Sequence, residues 1–163
     1  MKNKTVTGLL LLTGIIVISL ASCNPTAKWE KEERLLIDQY IASLGDTNYV
    51  LTESGLYYIS LMEGVGLQPV EGDTVWIRYY VKLLTGEYFD SNLTLDDPYR
   101  FVVGDGTVLL GIDEGIRFMH QGGSARLLTP SSLAYGSNGI PGIISGYAPL
   151  LWDIQLEKVS PGP

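Results

Sequence analysis

The chain has 163 residues, of which 45% are hydrophobic and 18% charged, a balance that fits a globular domain and excludes a disordered one. Its formal charge of −7 argues against nucleic acid and anionic headgroups as partners, because like charges repel. One cysteine, Cys23, and one histidine, His120, rule out an internal disulfide, histidine-rich metal sites and most nucleophilic triads, so no metal or cofactor is expected.

At the start, Lys2 and Lys4 precede an apolar run from Val6 to Ala21, closed by Leu20-Ala21-Ser22-Cys23. A basic end, an apolar middle and small residues at the close describe a secretory signal, and the run is short of the ~20 residues a spanning helix needs. This segment resembles the bacterial lipoprotein signal. The resemblance implies cleavage after residue 22 and acylation of Cys23, with palmitate among its chains, and attachment at the outer membrane facing the periplasm. Each buried methylene adds ~0.8 kcal/mol, so several chains suffice as an anchor. Loss of Lys2 and Lys4 would take the formal charge from −7 to −9. Membrane attachment would then rest on lipid and not on charge.

Residues 23–28 read as a polar tether, and residues 29–45 as an amphipathic helix. Leu36, Tyr40 and Leu44 recur every four positions, Ile37 and Ile41 widen the stripe, and Gly45 offers a stop. Glu30, Glu32 and Glu33 are expected in its first turns, where they suit the helix dipole. At about four turns it is short for a self-sufficient coiled coil, so packing against the main domain is expected in place of dimerisation.

Residues 46–163 read as one domain, and from Leu56 onward the period changes to two. Val75, Ile77, Tyr79, Val81 and Leu83 share one face of a long strand, with Arg78, Tyr80 and Lys82 on the other. Leu150, Trp152, Ile154 and Leu156 alternate with Asp153, Gln155 and Glu157 near the C-terminus. Shorter strands are expected around Tyr57, Phe101 and Leu127. Residues 109–120 read as a helix with Ile112, Ile116 and Met119 inward, stopped by Gly122-Gly123. Antiparallel strands around one short helix make an α+β domain, with the N-terminal helix ahead of it.

Conventional catalytic groups are scarce. Asp96-Asp97 and Asp113-Glu114 are adjacent pairs whose side chains diverge, and they sit among turn and helix-start signals. The glycines of residues 104–111 lack the order and setting of a nucleotide-binding loop. What remains is a series of apolar and aromatic blocks: Tyr79, then Phe89-Asp90-Ser91; Tyr99; Val108-Leu109 opening the helix; Tyr135 with Ile140, Ile143 and Ile144; and Trp152.

In this order and spacing the blocks resemble the FKBP-type peptidyl-prolyl cis-trans isomerases, over about residues 64–159. The resemblance implies a curved antiparallel β-sheet wrapped around the one short α-helix, with a cleft between them that binds proline-containing polypeptides and rapamycin-type macrolides. It implies catalytic roles for Tyr79, Phe89, Asp90, Tyr135 and Trp152, with Asp90 accepting the Tyr79 hydroxyl. Tyr99, Val108, Leu109, Ile112 and Ile140 would complete the binding surface, and Ile143 and Ile144 would cover it. Three positions depart from the family pattern. Ile112 stands where tryptophan usually forms the pocket floor, Trp152 where phenylalanine is common, and Ile140 where some members carry histidine. A non-catalytic chaperone or peptide-binding lipoprotein of the same fold is the alternative.

Overall fold

A computed structural model of the chain describes residues 25–163; the leader of residues 1–22 and Cys23 lie outside the described residues. The first helix, α1, spans Pro25–Ser43, so the stretch expected to be a tether is already helical at its proline, whose fixed φ suits a first turn. With that earlier start, Glu30, Glu32 and Glu33 fall beyond the first turn, and the expected dipole role is lost. Gly45 follows with a φ of 59°, the left-handed backbone that ends helices.

The strands are β1 (Val50–Leu51), β2 (Tyr57–Met62), β3 (Thr74–Leu83), β4 (Tyr88–Ser91), β5 (Tyr99–Val102), β6 (Ser124–Thr129) and β7 (Leu150–Ser160), with helix α2 at Leu110–Ile116. All pair antiparallel in the order β1-β2-β6-β7-β3-β4, and β5 also pairs with β3. Strand β3 is the spine. One edge runs along β7 from Thr74 opposite Ser160 to Leu83 opposite Leu150. Its other edge is shared, β5 taking Thr74 to Ile77 and β4 taking Tyr80 to Lys82.

The period-two patterns do what they predict: Val75, Ile77, Val81, Leu150, Trp152, Ile154 and Leu156 are buried in one core with Ile112, Ile116 and Met119. Helix α2 is shorter than the sequence suggests. After Ile116 the chain goes on in tight i→i−3 turns, Phe118 N–H to Gly115 O and Met119 N–H to Ile116 O, which still carry Met119 inward. Two glycines set how close α2 lies to β6. A Cβ on Gly115 would overlap the Leu127 side chain, and one on Gly111 the Thr129 side chain. Gly115→Ala should therefore cost about 1–3 kcal/mol by overpacking, read as a lower urea midpoint at unchanged m-value.

A second, smaller core lies on the opposite face of the sheet. Leu128 and Leu151 are directly opposed on β6 and β7, and Ile37 of α1 packs on them with Tyr40 and Ile41 beside it. Leu151 thus interrupts the outward polar set of β7 because α1 covers it. The N-terminal helix packs on its own domain.

Candidate active site

Between α2 and the sheet lies a cavity of about 510 Å³. It is lined by Tyr79, Phe89, Asp90, Tyr99, Val108, Leu109, Ile112, Tyr135 and Trp152, all singled out in the sequence, and by Ile77, Gly106 and Thr107, which were not. Ile77 was available from its alternation with Tyr79. Gly106 and Thr107 enter because Asp105 folds the loop before α2, its carboxylate accepting the Thr107 N–H at 2.9 Å and hydroxyl at 2.6 Å.

Tyr79 faces Ile154 across the β3–β7 ladder, which makes Trp152 its diagonal neighbour on the same face. The ring centroids are 5.7 Å apart, and Tyr99 meets Tyr79 edge-on at 6.3 Å. The indole N–H of Trp152 donates to Thr129 Oγ1 at 3.3 Å. That bond satisfies the buried donor with a partner from β6.

Phe89 and Asp90 are consecutive, and a regular strand would point them to opposite faces. Here Val81 pairs with Asp90 but Lys82 pairs with Tyr88, so Phe89 is the extra residue of a β-bulge. The bulge lets both side chains line one cavity. The Tyr79 hydroxyl donates to Asp90 Oδ2 at 2.8 Å, while Asp90 Oδ1 accepts the Ser91 N–H at 2.8 Å.

The gap between β5 and β4 falls at Tyr79, and a side chain fills it. Asn92, only 3% exposed, accepts the Tyr79 N–H at 2.7 Å and donates to Ile77 O at 3.0 Å. One amide thus serves as a missing strand behind Tyr79. The segment beyond it is held by Arg78, whose guanidinium donates to the carbonyls of Asn92, Leu95 and Asp96 and pairs with Glu157 at 2.8 Å.

Tyr135 follows the 3₁₀ turn Ser131–Leu133 and approaches Phe89 edge-on at 6.0 Å. Burial, then the negative charge of Asp90, push its hydroxyl pKa up. Burial, then the hydrogen bond to Asp90, push Tyr79 up further. Both therefore stay protonated donors through neutral pH. The sign follows: a raised tyrosine pKa contributes stability below the unfolded value of about 10, lost only as pH rises through the folded one.

The isoleucines of the following loop are placed differently from the expected binding surface and cover. Ile140 and Ile144 form an isolated β-bridge closed by the Ile144 N–H to Ile140 O bond of 2.8 Å. Adjacent residues at such a pinch point opposite ways, so Ile144 is buried in the core while Ile143 is 65% exposed. Ile140 is half-buried against the core, and none of the three lines the cavity. The acidic pair of α2 is structural: Asp113 accepts the Gly104 N–H and pairs with Arg117, and Glu114 accepts the Ser54 hydroxyl. His120 lies outside the lining as well. Among the described residues no group of His, Cys, Asp and Glu could hold a metal ion.

Comparison with known proteins agrees with this geometry. The family model for FKBP-type peptidyl-prolyl cis-trans isomerases matches residues 66–157. A chloroplastic peptidyl-prolyl cis-trans isomerase of Arabidopsis thaliana is 36% identical over 90% of this chain and 67% of its own. An FK506-binding protein of Neisseria meningitidis is 37% identical over 64% of this chain and 96% of its own. Among solved structures, FkpA of Escherichia coli superposes with a TM-score of 0.71 at 32% identity, covering 85% of this chain and 65% of the other. Sheet, helix, cavity and sequence lead to one assignment: the chain belongs to the FKBP-type peptidyl-prolyl cis-trans isomerases and is an enzyme of that kind.

Proposed function

We propose that the cavity between α2 and the sheet is where this isomerase turns the X-Pro bond, and that it does so by differential binding of the twisted amide. The observation that carries the reading is the convergence of Tyr79, Phe89, Tyr135 and Trp152 on one apolar space with Asp90 holding the Tyr79 hydroxyl. Rotation about the peptide bond meets a barrier of ~18–20 kcal/mol and takes ~10–100 s unaided. Shortening that to about 10 ms requires ~4–5 kcal/mol. No nucleophile is needed. Twisting breaks the amide resonance that separates charge, so the twisted form tolerates a dry aromatic site better than the planar one.

In this mechanism Tyr79, Phe89 and Trp152 wall the proline ring, with Ile112 as floor and Tyr99 and Val108 at the sides. The Tyr135 hydroxyl and the Leu109 N–H hold substrate carbonyls on either side of the turning bond. Asp90 fixes the Tyr79 ring by accepting its hydroxyl. Burial, with the charge of Asp90 second, pushes the Tyr135 hydroxyl up from an ordinary value that already leaves it a donor at neutral pH. Macrolides of the rapamycin type would compete for the same apolar space, consistent with the name FK506-binding protein carried by several relatives.

The leader and Cys23 support a lipid-anchored enzyme acting on polypeptides that fold outside the cytoplasm, at the outer membrane facing the periplasm. The loop of Ile140, Ile143 and Ile144 follows Tyr135 in the chain, and exposed Ile143 would touch the substrate chain beyond the proline.

The test is a protease-free peptide assay on soluble protein starting at Asn24. Rapamycin-sensitive acceleration is expected, and Asp90→Ala should lower kcat/KM roughly 10-fold while the protein stays folded by circular dichroism. Equal activity in wild type and Asp90→Ala would remove Asp90 from the mechanism. A folded wild type that binds proline peptides without accelerating them would favour the chaperone reading.

A further inference from the structure

The helix that precedes the family-matched region reaches the loop of Tyr135. Glu33 of α1 accepts the backbone N–H of Ser131 with one carboxylate oxygen and the Ser131 hydroxyl, at 2.8 Å, with the other. Ser131 is 5% exposed and opens the 3₁₀ turn, which has no side-chain cap of its own because Pro130 precedes it. A carboxylate 98 positions away in the chain therefore takes the place of the local cap. The same Ser131 then brackets Tyr135. Its carbonyl accepts the Ala134 N–H at 2.9 Å and the Gly136 N–H at 2.8 Å, one on each side of the tyrosine. Gly136 O in turn accepts the Tyr147 N–H at 3.0 Å, and Tyr147 is the one non-glycine residue with positive φ among the described residues.

We infer that Glu33 is a positioning residue for the isomerase reaction: through Ser131 it fixes the backbone from which Tyr135 aims its hydroxyl into the cavity. The inference rests on the placement of Tyr135 in the substrate site. It assigns to α1 a part in turnover beyond covering Leu128 and Leu151. Ile37, one turn on, clamps the helix to the sheet, so the Glu33 carboxylate is carried on a fixed support.

A double-mutant cycle in the full soluble protein tests this. Glu33→Ala should lower kcat about fivefold with little change in KM, and the loss should shrink to less than about twofold in a Tyr135→Phe background, because the hydroxyl it positions is gone. Glu33→Gln, which keeps an acceptor for the Ser131 N–H, should recover part of the rate. If Glu33→Ala folds poorly, Ser131→Ala removes one of the two bonds and enters the same cycle. Equal fold-losses in the two backgrounds, with Tyr135→Phe itself impaired, would overturn the role of Glu33 and leave the site intact. Full activity in Tyr135→Phe would overturn both.

Discussion

Trp152→Ala is expected to lower the unfolding free energy by about 3–5 kcal/mol and kcat/KM at least tenfold, the largest effect of any single truncation at the site. The indole is buried, walls the cavity beside Tyr79, and bonds Thr129 through its N–H. Removing it takes away packing and apolar lining together. The more informative experiment is an exchange with the floor. Ile112 is 4% exposed and lines the same cavity as Trp152. Where relatives of the family pattern carry a floor tryptophan and a wall phenylalanine, this chain carries the large ring in the wall. Ile112→Trp alone should overpack and cost about 1–3 kcal/mol, and Trp152→Phe alone should leave a void of similar cost. Combined, they conserve ring volume, so the double variant should be more stable than the sum of the singles predicts, by urea unfolding. Strict additivity would mean that the two side chains do not share the space.

Asn92→Ala is expected to cost about 2–4 kcal/mol, because the Tyr79 N–H and the Ile77 carbonyl lose a partner in the interior at once. The effect should reach the chemistry. Tyr79 sits where β3 passes from β5 to β4, and without the Asn92 amide its N–H loses its partner, while its carbonyl keeps the backbone N–H of residue 92 and the Ser91 hydroxyl. Assayed well below its urea midpoint, the variant should show reduced kcat/KM and faster amide exchange at Tyr79. A variant as stable as wild type would mean that water takes over both bonds.

Much of this architecture is legible in the sequence. The alternation of residues 75–83 and 150–156 specifies which faces are buried, and the spacing of Ile112, Ile116 and Met119 gives the inner face of the helix. These are local signals of period two and about 3.6, and the core follows them. The site is legible by family pattern in its aromatic residues and less so in how they are aimed. Phe89 and Asp90 share a cavity only through a bulge, a register property of two strands that no single-strand pattern carries. Ile143 and Ile144 look equivalent as a pair, and the β-bridge at Ile140 decides which one turns inward. Asn92 reads as a loop asparagine until the break between β4 and β5 shows the bonds it replaces. Glu33 reads as one acid among several on a helix, and its partner Ser131 becomes visible only in three dimensions. Two helix limits differ for different reasons: α1 starts at Pro25, whose fixed φ suits a first turn, and α2 ends at Ile116 because the turns after it keep the apolar period without keeping the α-helix.

The most direct measurement is an amide shift map of ¹⁵N-labelled protein taken while it exchanges the cis and trans forms of a proline peptide in the same tube. The account predicts exchange cross-peaks for the peptide, abolished by rapamycin, with the largest shifts at Tyr79, Phe89, Leu109, Ile112, Tyr135 and Trp152. Catalysed exchange with shifts confined to other surfaces, or shifts at these residues with no exchange, would contradict it.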